Sequence, residues 1–145
     1  MASIAKFDVW QNTAGVNYHA VVQAVSNNVT TPISVNTATP TTVISVSITT
    51  KLPGSMLLIL YTDDCNADAN GAWKYIAPYV DGVEYGKHIT SMTTASYQDM
   101  VAISRLVGPV SLGAHTVDIK AYQGSAQSTF HVAGSANLTV LEIAQ

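Results

Sequence analysis

The sequence predicts an all-β protein in which two antiparallel sheets pack as a sandwich of the jelly-roll type. Apolar and polar residues alternate in several short segments, as at Ile44, Val46 and Ile48, and a period of two is that of a strand with one buried face. β-Branched residues fill many of the apolar positions, and no segment shows a capped amphipathic helix. Turn signals recur roughly every ten residues, which is typical of sandwiches and jelly rolls.

The composition predicts a single domain over residues 1–145. Hydrophobic residues make up 48 % of the chain and charged residues only 10 %, against about 25 % in ordinary soluble domains. The formal net charge of −3 provides no basic field, so no nucleic-acid partner is expected. No apolar run is long enough to cross a bilayer, so no membrane insertion is expected. Cys65 is the sole cysteine, which excludes an internal disulfide.

The strands differ in how clearly the sequence marks them. Residues 55–61 are apolar on both faces and follow the Pro53-Gly54 turn, which predicts a central strand. Residues 73–80 end at Asp81-Gly82, a dipeptide suited to a tight hairpin with residues 83–85 returning antiparallel. The other strong strands are residues 44–49, 115–122 and 137–143; weaker ones are residues 4–10, 18–25, 33–36, 90–94 and 129–132.

Residues 97–107 fit two patterns. Tyr97, Met100 and Val101 have helical spacing, but Val101 and Ile103 also alternate with polar or small residues. The alternation favours a strand, which Gly108-Pro109 would end.

The C-terminal third carries a recognisable pair of strands. Residues 112–119 read Leu-Gly-Ala-His-Thr-Val-Asp-Ile, and after a connection rich in Gly and Ser, residues 135–143 read Ser-Ala-Asn-Leu-Thr-Val-Leu-Glu-Ile. This pair resembles the closing hairpin of bacterial and phage jelly-roll domains of the C1q/TNF-like kind. The resemblance implies a ten-stranded jelly roll that forms a homotrimer, with its first and last strands adjacent in the inner sheet.

Both ends of the chain contain long stretches without charge. No Asp, Glu, Lys or Arg lies between Asp8 and Lys51, or between Lys120 and Glu142. Interface cores are depleted of charge and enriched in aromatic residues, so these stretches are interpreted as a trimer interface in preference to a neutral surface of Ser and Thr exposed to solvent. The candidate interface residues are Trp10, Tyr18, Tyr122 and Phe130.

A polar segment resembles the start of a calcium-binding loop. Asp64, Asn66, Asp68 and Asn70 place oxygen ligands at alternate positions, and Gly71 permits a bend. The twelfth position counted from Asn66 is Ala77 instead of a bidentate glutamate, so an ordinary polar loop is the alternative. No cofactor other than calcium is suggested.

An aromatic group marks a second candidate site. Trp73, Tyr75 and Tyr79 share one face of their predicted strand. Such a row either stacks on sugar rings or forms part of a core or interface.

Cysteine and histidine provide weaker signals. Two aspartates precede Cys65, and their charge is expected to raise the pKa of its thiol, which argues against a catalytic role. A hairpin could bring His115 and His131 together as a zinc site or a pH-sensitive pair. Ordinary hydrogen-bonded histidines are the favoured alternative.

No enzyme is predicted, because the sequence has no Gly-x-Ser-x-Gly elbow and no Gly-rich phosphate loop. The expected function is that of a homotrimeric structural or recognition head on a bacterial or phage surface or tail fibre, with loops that contact a receptor or glycan. The expected location is therefore extracellular, at a cell surface or on a virion. The alternative is a monomeric carbohydrate-binding module that uses Trp73, Tyr75 and Tyr79.

Overall fold

The computed structural model describes residues 20–67, 73–91, 98–124, 130–132 and 134–144. These residues form antiparallel strands joined by turns and loops, and no helix that could span a membrane occurs among them. The strands are β1 (Val21–Val29), β2 (Ile33–Val35), β3 (Thr41–Thr50), β4 (Met56–Ala67), β5 (Trp73–Val80), β6 (Val83–Glu84), β7 (His88–Ser91), β8 (Gln98–Val107), β9 (Gly113–Gln123), β10 (Phe130–Val132) and β11 (Ala136–Ile143).

The strands form two sheets that pack as a sandwich, which confirms the predicted jelly-roll class. The six-stranded sheet has the order β1-β11-β4-β10-β2, with β8 paired to β4. The five-stranded sheet has the order β3-β9-β5-β6, with β7 paired to β5. Among the described strands the first and the last are adjacent, as the resemblance implies, because β1 pairs with β11 from Val21 opposite Ile143 to Val29 opposite Ala136.

The core lies between the sheets and follows the predicted alternation. Ile44, Val46 and Ile48 of β3 are buried, as are the inward residues of β9 and β11. Each such side chain contributes about 1.5–3 kcal/mol when it is fully removed from water. The buried side chains of β9 and β11 are Val117, Ile119, Ala121, Ala136, Leu138 and Val140.

Strand β4 is the central strand of its sheet, and it is longer than the sequence predicts. It pairs with β8 on one side and with β11 and then β10 on the other. Asp63 to Asn66 continue this strand instead of forming a loop, because Asn66 pairs with Gln98 of β8 and with His131 of β10. Backbone hydrogen bonds on both sides thus outweigh the turn preference of Asp and Asn.

The predicted hairpin is confirmed. Asp81 and Gly82 have φ angles of 50° and 83°, the left-handed values that a two-residue hairpin turn requires, and β5 pairs with β6 across them.

Residues 97–107 form the favoured strand, β8, and not a helix. Two weaker strands are shifted along the chain, since β1 covers residues 21–29 and β7 covers residues 88–91. The predicted strand at residues 4–10 lies outside the described residues.

A buried carboxylate ties the end of β11 to the turn between β3 and β4. Glu142 has no exposed surface. One carboxylate oxygen accepts a hydrogen bond of 2.7 Å from Gln23 Nε2. The other accepts hydrogen bonds from Ser55 Oγ at 2.7 Å, Lys51 N at 2.8 Å and Leu52 N at 3.0 Å. Burial alone would raise the pKa of Glu142, but these donors hold it below the ordinary value.

Candidate functional site

The outer face of the six-stranded sheet carries no charge over most of its extent. Side chains that point away from the core on β1, β11, β4 and β8 form a continuous surface, which we call the uncharged face. Its residues are Ala24, Ser26, Asn28, Asn137, Thr139, Leu141, Ile143, Met56, Leu58, Leu60, Thr62, Ala102, Ser104 and Leu106.

The uncharged face has an apolar row across four strands. Leu106 lies opposite Leu58, Leu58 opposite Leu141, and Leu141 opposite Ala24. Leu106 is 54 % exposed and the neighbouring Leu60 is 39 % exposed. Contiguous exposed apolar surface is typical of protein contact sites, and the absence of charge is typical of their cores.

The two charge-free stretches contribute neighbouring strands to this face, because β1 and β11 are paired along their length. The predicted interface residue Tyr122 is elsewhere, however. It lies on β9 of the five-stranded sheet, where it contacts Tyr75. Trp10 and Tyr18 lie outside the described residues, and Phe130 lies on β10, with its side chain outside the described part.

The outer face of the five-stranded sheet holds the predicted aromatic group. Trp73 is 55 % exposed, and the Tyr75 ring lies 5.0 Å from that of Tyr122, between ring centroids. Tyr79 is only 8 % exposed, because Lys120 Nζ covers its ring at 4.8 Å from the centroid. Lys87 Nζ covers the Tyr75 ring in the same way, at 4.5 Å from the centroid, so among these three residues stacking on a ligand is open to Trp73.

One carboxylate holds two tyrosine hydroxyls on this face. Glu84 accepts hydrogen bonds of 2.8 Å from Tyr79 and 3.1 Å from Tyr122. Burial and the bond to Glu84 raise the pKa of both phenols, to about 12 for Tyr122. Both hydroxyls therefore stay protonated and serve as donors.

The predicted calcium ligands are only partly described. Asp64 and Asn66 lie on β4 and not in a loop, while Asp68 and Asn70 lie outside the described residues. Asp64 accepts a hydrogen bond of 3.0 Å from Ser135 Oγ, beside a pocket of about 50 Å³ that His131 also lines. Within the described part of the chain, no three His, Cys, Asp or Glu side chains converge as a metal site.

Cys65 lies in the core and not in a loop. It is 3 % exposed, and its Sγ donates to the Asp99 carbonyl oxygen at 3.5 Å. Burial, followed by the charges of Asp99, Asp63 and Asp64, raises the pKa of the thiol to about 12. The predicted direction is confirmed, but burial is the largest cause.

The histidine pair proposed from the sequence does not form. His115 lies on β9 of the five-stranded sheet and His131 on β10 of the six-stranded sheet. His115 contacts Asp81 Oδ2 through Nδ1 at 2.7 Å and the Ser111 carbonyl oxygen through Nε2 at 2.8 Å. His131 Nδ1 lies 3.0 Å from Ser34 Oγ. The described partners fit the favoured alternative of ordinary hydrogen-bonded histidines.

The contact of His115 predicts a pH-dependent contribution to stability. Both ring nitrogens face acceptors, and the bond to Asp81 raises the pKa of His115 above its ordinary 6.5. The stabilisation by the contact between His115 and Asp81 is therefore complete below pH 6.5. It disappears as the pH rises through the higher pKa that His115 has in the folded state. His115→Ala should lower the free energy of unfolding by about 1–2 kcal/mol near pH 6 and by less near pH 9, because Asp81 is half exposed and partly screened.

Urea unfolding of both proteins between pH 5 and pH 9 measures this difference, with His131→Ala as the control. A destabilisation by His115→Ala that is equal at both ends of the range would contradict the assignment.

The search of protein-family models and the search of curated proteins gave no match. Among solved structures, the chain is similar to a protein in the structure of infectious bursal disease virus, Gt strain, with a TM-score of 0.55 and 10 % identity over 97 % of this chain and 42 % of that one. It is also similar to the insecticidal delta-endotoxin Cry8Ea1 from Bacillus thuringiensis, with a TM-score of 0.45 and 9 % identity over 79 % of this chain and 20 % of that one.

A third similar structure is the sugar-binding EclA C-terminal domain, with a TM-score of 0.43 and 12 % identity over 88 % of this chain and 89 % of that one. This chain therefore spans about two fifths of the virus protein and one fifth of the endotoxin. The likeness to the virus protein supports the jelly-roll-like β-sandwich fold. No family match supports the C1q/TNF-like kind, which stays a prediction.

Proposed function

We propose that the chain is a non-catalytic structural or recognition domain of the C1q/TNF-like kind and that it assembles as a homotrimer. The observation that carries this proposal is the uncharged face, with its apolar row of three leucines and Ala24 across four strands. The protein does carry charged side chains that face outward, but Lys120 and Asp118 do so from the five-stranded sheet, on the opposite side of the sandwich.

Self-association explains the uncharged face better than a neutral surface exposed to water. A solvated face of Ser and Thr would not need Leu58, Leu106 and Leu141 side by side. In a closed cyclic assembly each copy buries such a face against its neighbours, and no charged group is left without water. Three copies follow from the resemblance of the closing hairpin.

A trimer of this kind would present three identical sets of loops. Its avidity would strengthen weak contacts with a receptor or glycan on a host or neighbouring cell. We therefore place the protein on a virion or a bacterial surface, outside the cell. The similarity to the virus protein concerns the fold and is compatible with this placement.

A monomeric carbohydrate-binding module is the second candidate. The exposure of the Trp73 ring beside Tyr75 favours it. The test is a glycan array with a protein that is shown to be monomeric in solution. If this monomer binds glycans and its Trp73→Ala variant does not, the result would support the carbohydrate-binding module over the trimer.

Leu60→Lys tests the trimer. Leu60 lies in the middle of the uncharged face, between Ser104 on β8 and Thr139 on β11. In light scattering at micromolar concentration, the wild type should have about three times the 15.3 kDa chain mass. The variant should be monomeric and folded, because a buried unpaired ammonium would oppose assembly while an exposed one is harmless to the isolated domain.

Leu112→Lys is the matched control, because Leu112 is 60 % exposed in the loop before β9 and lies off the uncharged face. This variant should keep the wild-type mass. A wild-type protein that is a monomer at micromolar concentration, or a trimer that Leu60→Lys leaves intact, would refute the proposal.

A further inference from the structure

A pocket of about 160 Å³ lies at the open edge of the sandwich, between β8 of one sheet and the segment before β7 of the other. Basic side chains line it, and we call it the cationic pocket. Its lining is Gly86, Lys87, His88, Ala102, Ile103, Ser104 and Arg105.

Arg105 enters the cationic pocket from a core-facing position. On β8 it shares a side with the buried Val101 and Val107, and it points away from the uncharged face, to which Leu106 belongs. Its guanidinium crosses the gap to the other sheet and lies against Gly86. A Cβ on Gly86 would stand 2.7 Å from Arg105 Nη2, so the guanidinium lies directly against this backbone, where the φ angle of 80° favours glycine.

Lys87 joins the cationic pocket to the aromatic face. Its Nζ lies 4.5 Å from the ring centroid of Tyr75 and 5.9 Å from that of Tyr122. The exposed Trp73 lies on the same side of β5 as Tyr75. A ligand in the pocket that extends past Lys87 therefore reaches the aromatic face, on which Trp73 is the exposed ring.

The positive charge is not balanced by the lining, which contains no Asp or Glu. Within the described residues, neither Lys87 nor Arg105 forms an ion pair. Glu84, the acidic residue closest in sequence, accepts its hydrogen bonds from Tyr79 and Tyr122. An anion would thus add the missing acceptor for a planar guanidinium fork and an ammonium group.

We propose that the cationic pocket binds the carboxylate or sulfate group of an acidic saccharide, with the sugar ring extending past Lys87 toward the exposed Trp73. The guanidinium fork of Arg105 matches the paired oxygens of such a group, and Lys87 contributes a second positive charge. The apolar C–H face of a sugar ring packs on an aromatic ring. Every lining residue comes from one chain, so no second copy is needed to complete the site, although Ala102 and Ser104 also belong to the uncharged face.

A purely structural role for Arg105 is the competing explanation, because a long cationic side chain can cover apolar surface at a sheet edge. If Arg105 has only that structural role, the melting temperature should not change when a ligand is added. If the pocket binds the ligand, the melting temperature should rise with ligand concentration. Thermal melting and calorimetry should therefore be measured with a sulfated disaccharide, its unsulfated counterpart, sialic acid and inorganic sulfate.

The wild type should bind the sulfated disaccharide and sialic acid, and should bind the unsulfated disaccharide at least about tenfold more weakly, as expected for a lost charge-assisted hydrogen bond. Lys87→Ala and Arg105→Lys should each weaken acidic-saccharide binding by about tenfold. Lys51→Ala, which removes an exposed cation in the turn between β3 and β4, should not.

Lys87 is exposed, so its variant remains informative even if changes at Arg105 impair folding. Equal binding by wild type and Lys87→Ala, or no binding of any acidic probe, would overturn the proposal. Inorganic sulfate that binds as tightly as the sulfated disaccharide would overturn the saccharide assignment, since the aromatic rings would then contribute nothing.

Discussion

Glu142→Ala should lower the free energy of unfolding by about 2–4 kcal/mol, because neutral donors in the turn between β3 and β4 would lose a charged acceptor. The side chain is wholly buried and accepts four hydrogen bonds. Alanine would leave the backbone N–H groups of Lys51 and Leu52 without their acceptor, whereas Gln23 Nε2 and Ser55 Oγ would keep the Thr49 and Leu52 carbonyl oxygens. Each unsatisfied buried donor costs about 1–3 kcal/mol, and entry of water into the space would reduce the sum.

Urea unfolding at neutral pH measures this effect. Glu84→Ala is the matched control, because Glu84 also accepts two side-chain hydrogen bonds but lies on the surface of the five-stranded sheet. Its removal should cost less than about 1 kcal/mol. Similar losses for the two variants would show that the Glu142 network does not anchor the turn between β3 and β4.

The same carboxylate predicts a loss of stability in acid. The hydrogen bonds hold the pKa of Glu142 below its ordinary 4.5, so its contribution is complete above pH 4.5 and is lost as the pH falls through the lower folded-state value. Glu142→Gln cannot accept all four bonds and no longer titrates. Its free energy of unfolding should be lower than that of the wild type at pH 7 and should fall less between pH 5 and pH 2.

Leu138→Ala should lower the free energy of unfolding by about 2–5 kcal/mol, as is usual for a leucine truncated in a packed core. Leu138 has no exposed surface and belongs to the main cluster between the sheets. The neighbouring strands β1 and β4 fix its position, so the cavity cannot close by movement of β11 alone.

Leu141 on the same strand provides the control, because it points to the opposite side and is only half-buried. Leu141→Ala should cost less than about 1 kcal/mol in a monomer. Its effect on the proposed trimer should appear as dissociation at higher protein concentration than for the wild type, measured by light scattering over a dilution series. If truncation at the two positions costs the same in dilute solution, β11 does not have the register described.

Local sequence was sufficient wherever one residue pattern had one favourable structure. Asp81-Gly82 formed the expected hairpin, because few other dipeptides adopt two left-handed conformations in succession. Alternation in residues 44–49 and 137–143 placed Ile44 and Leu138 in the core. Trp73 and Tyr75 are two residues apart on β5, and the alternation of side chains along a strand predicted that both lie on the same side of the sheet.

Sequence reasoning was wrong where long-range pairing decided the outcome. Asp64 and Asn66 have the composition of a loop, yet strands on both sides keep them in β4. The interface role of Tyr122 stays a prediction, although the pairing of β9 with β5 puts this residue against Tyr75 and off the uncharged face. His115 and His131 are near each other in sequence and in different sheets.

The cationic pocket had no signal in the sequence, because its parts are separated along the chain. Lys87 and Arg105 line the same pocket only because the two sheets pack together. Gly86 is one of nine glycines in the sequence, and nothing local distinguishes it from the others. The partners of Glu142 were equally hidden, since Lys51 and Gln23 are distant in sequence from β11.

By itself the sequence determined the strand class, most of the inward residues, the hairpin turn and the absence of charge from both ends of the chain, because these depend on side-chain period and on single-residue backbone preferences. Only the tertiary structure decided which strands pair, and therefore that β1 and β11, one from each charge-free stretch, are neighbours in one sheet. Strand pairing joins residues far apart in the chain, and no short segment contains that information.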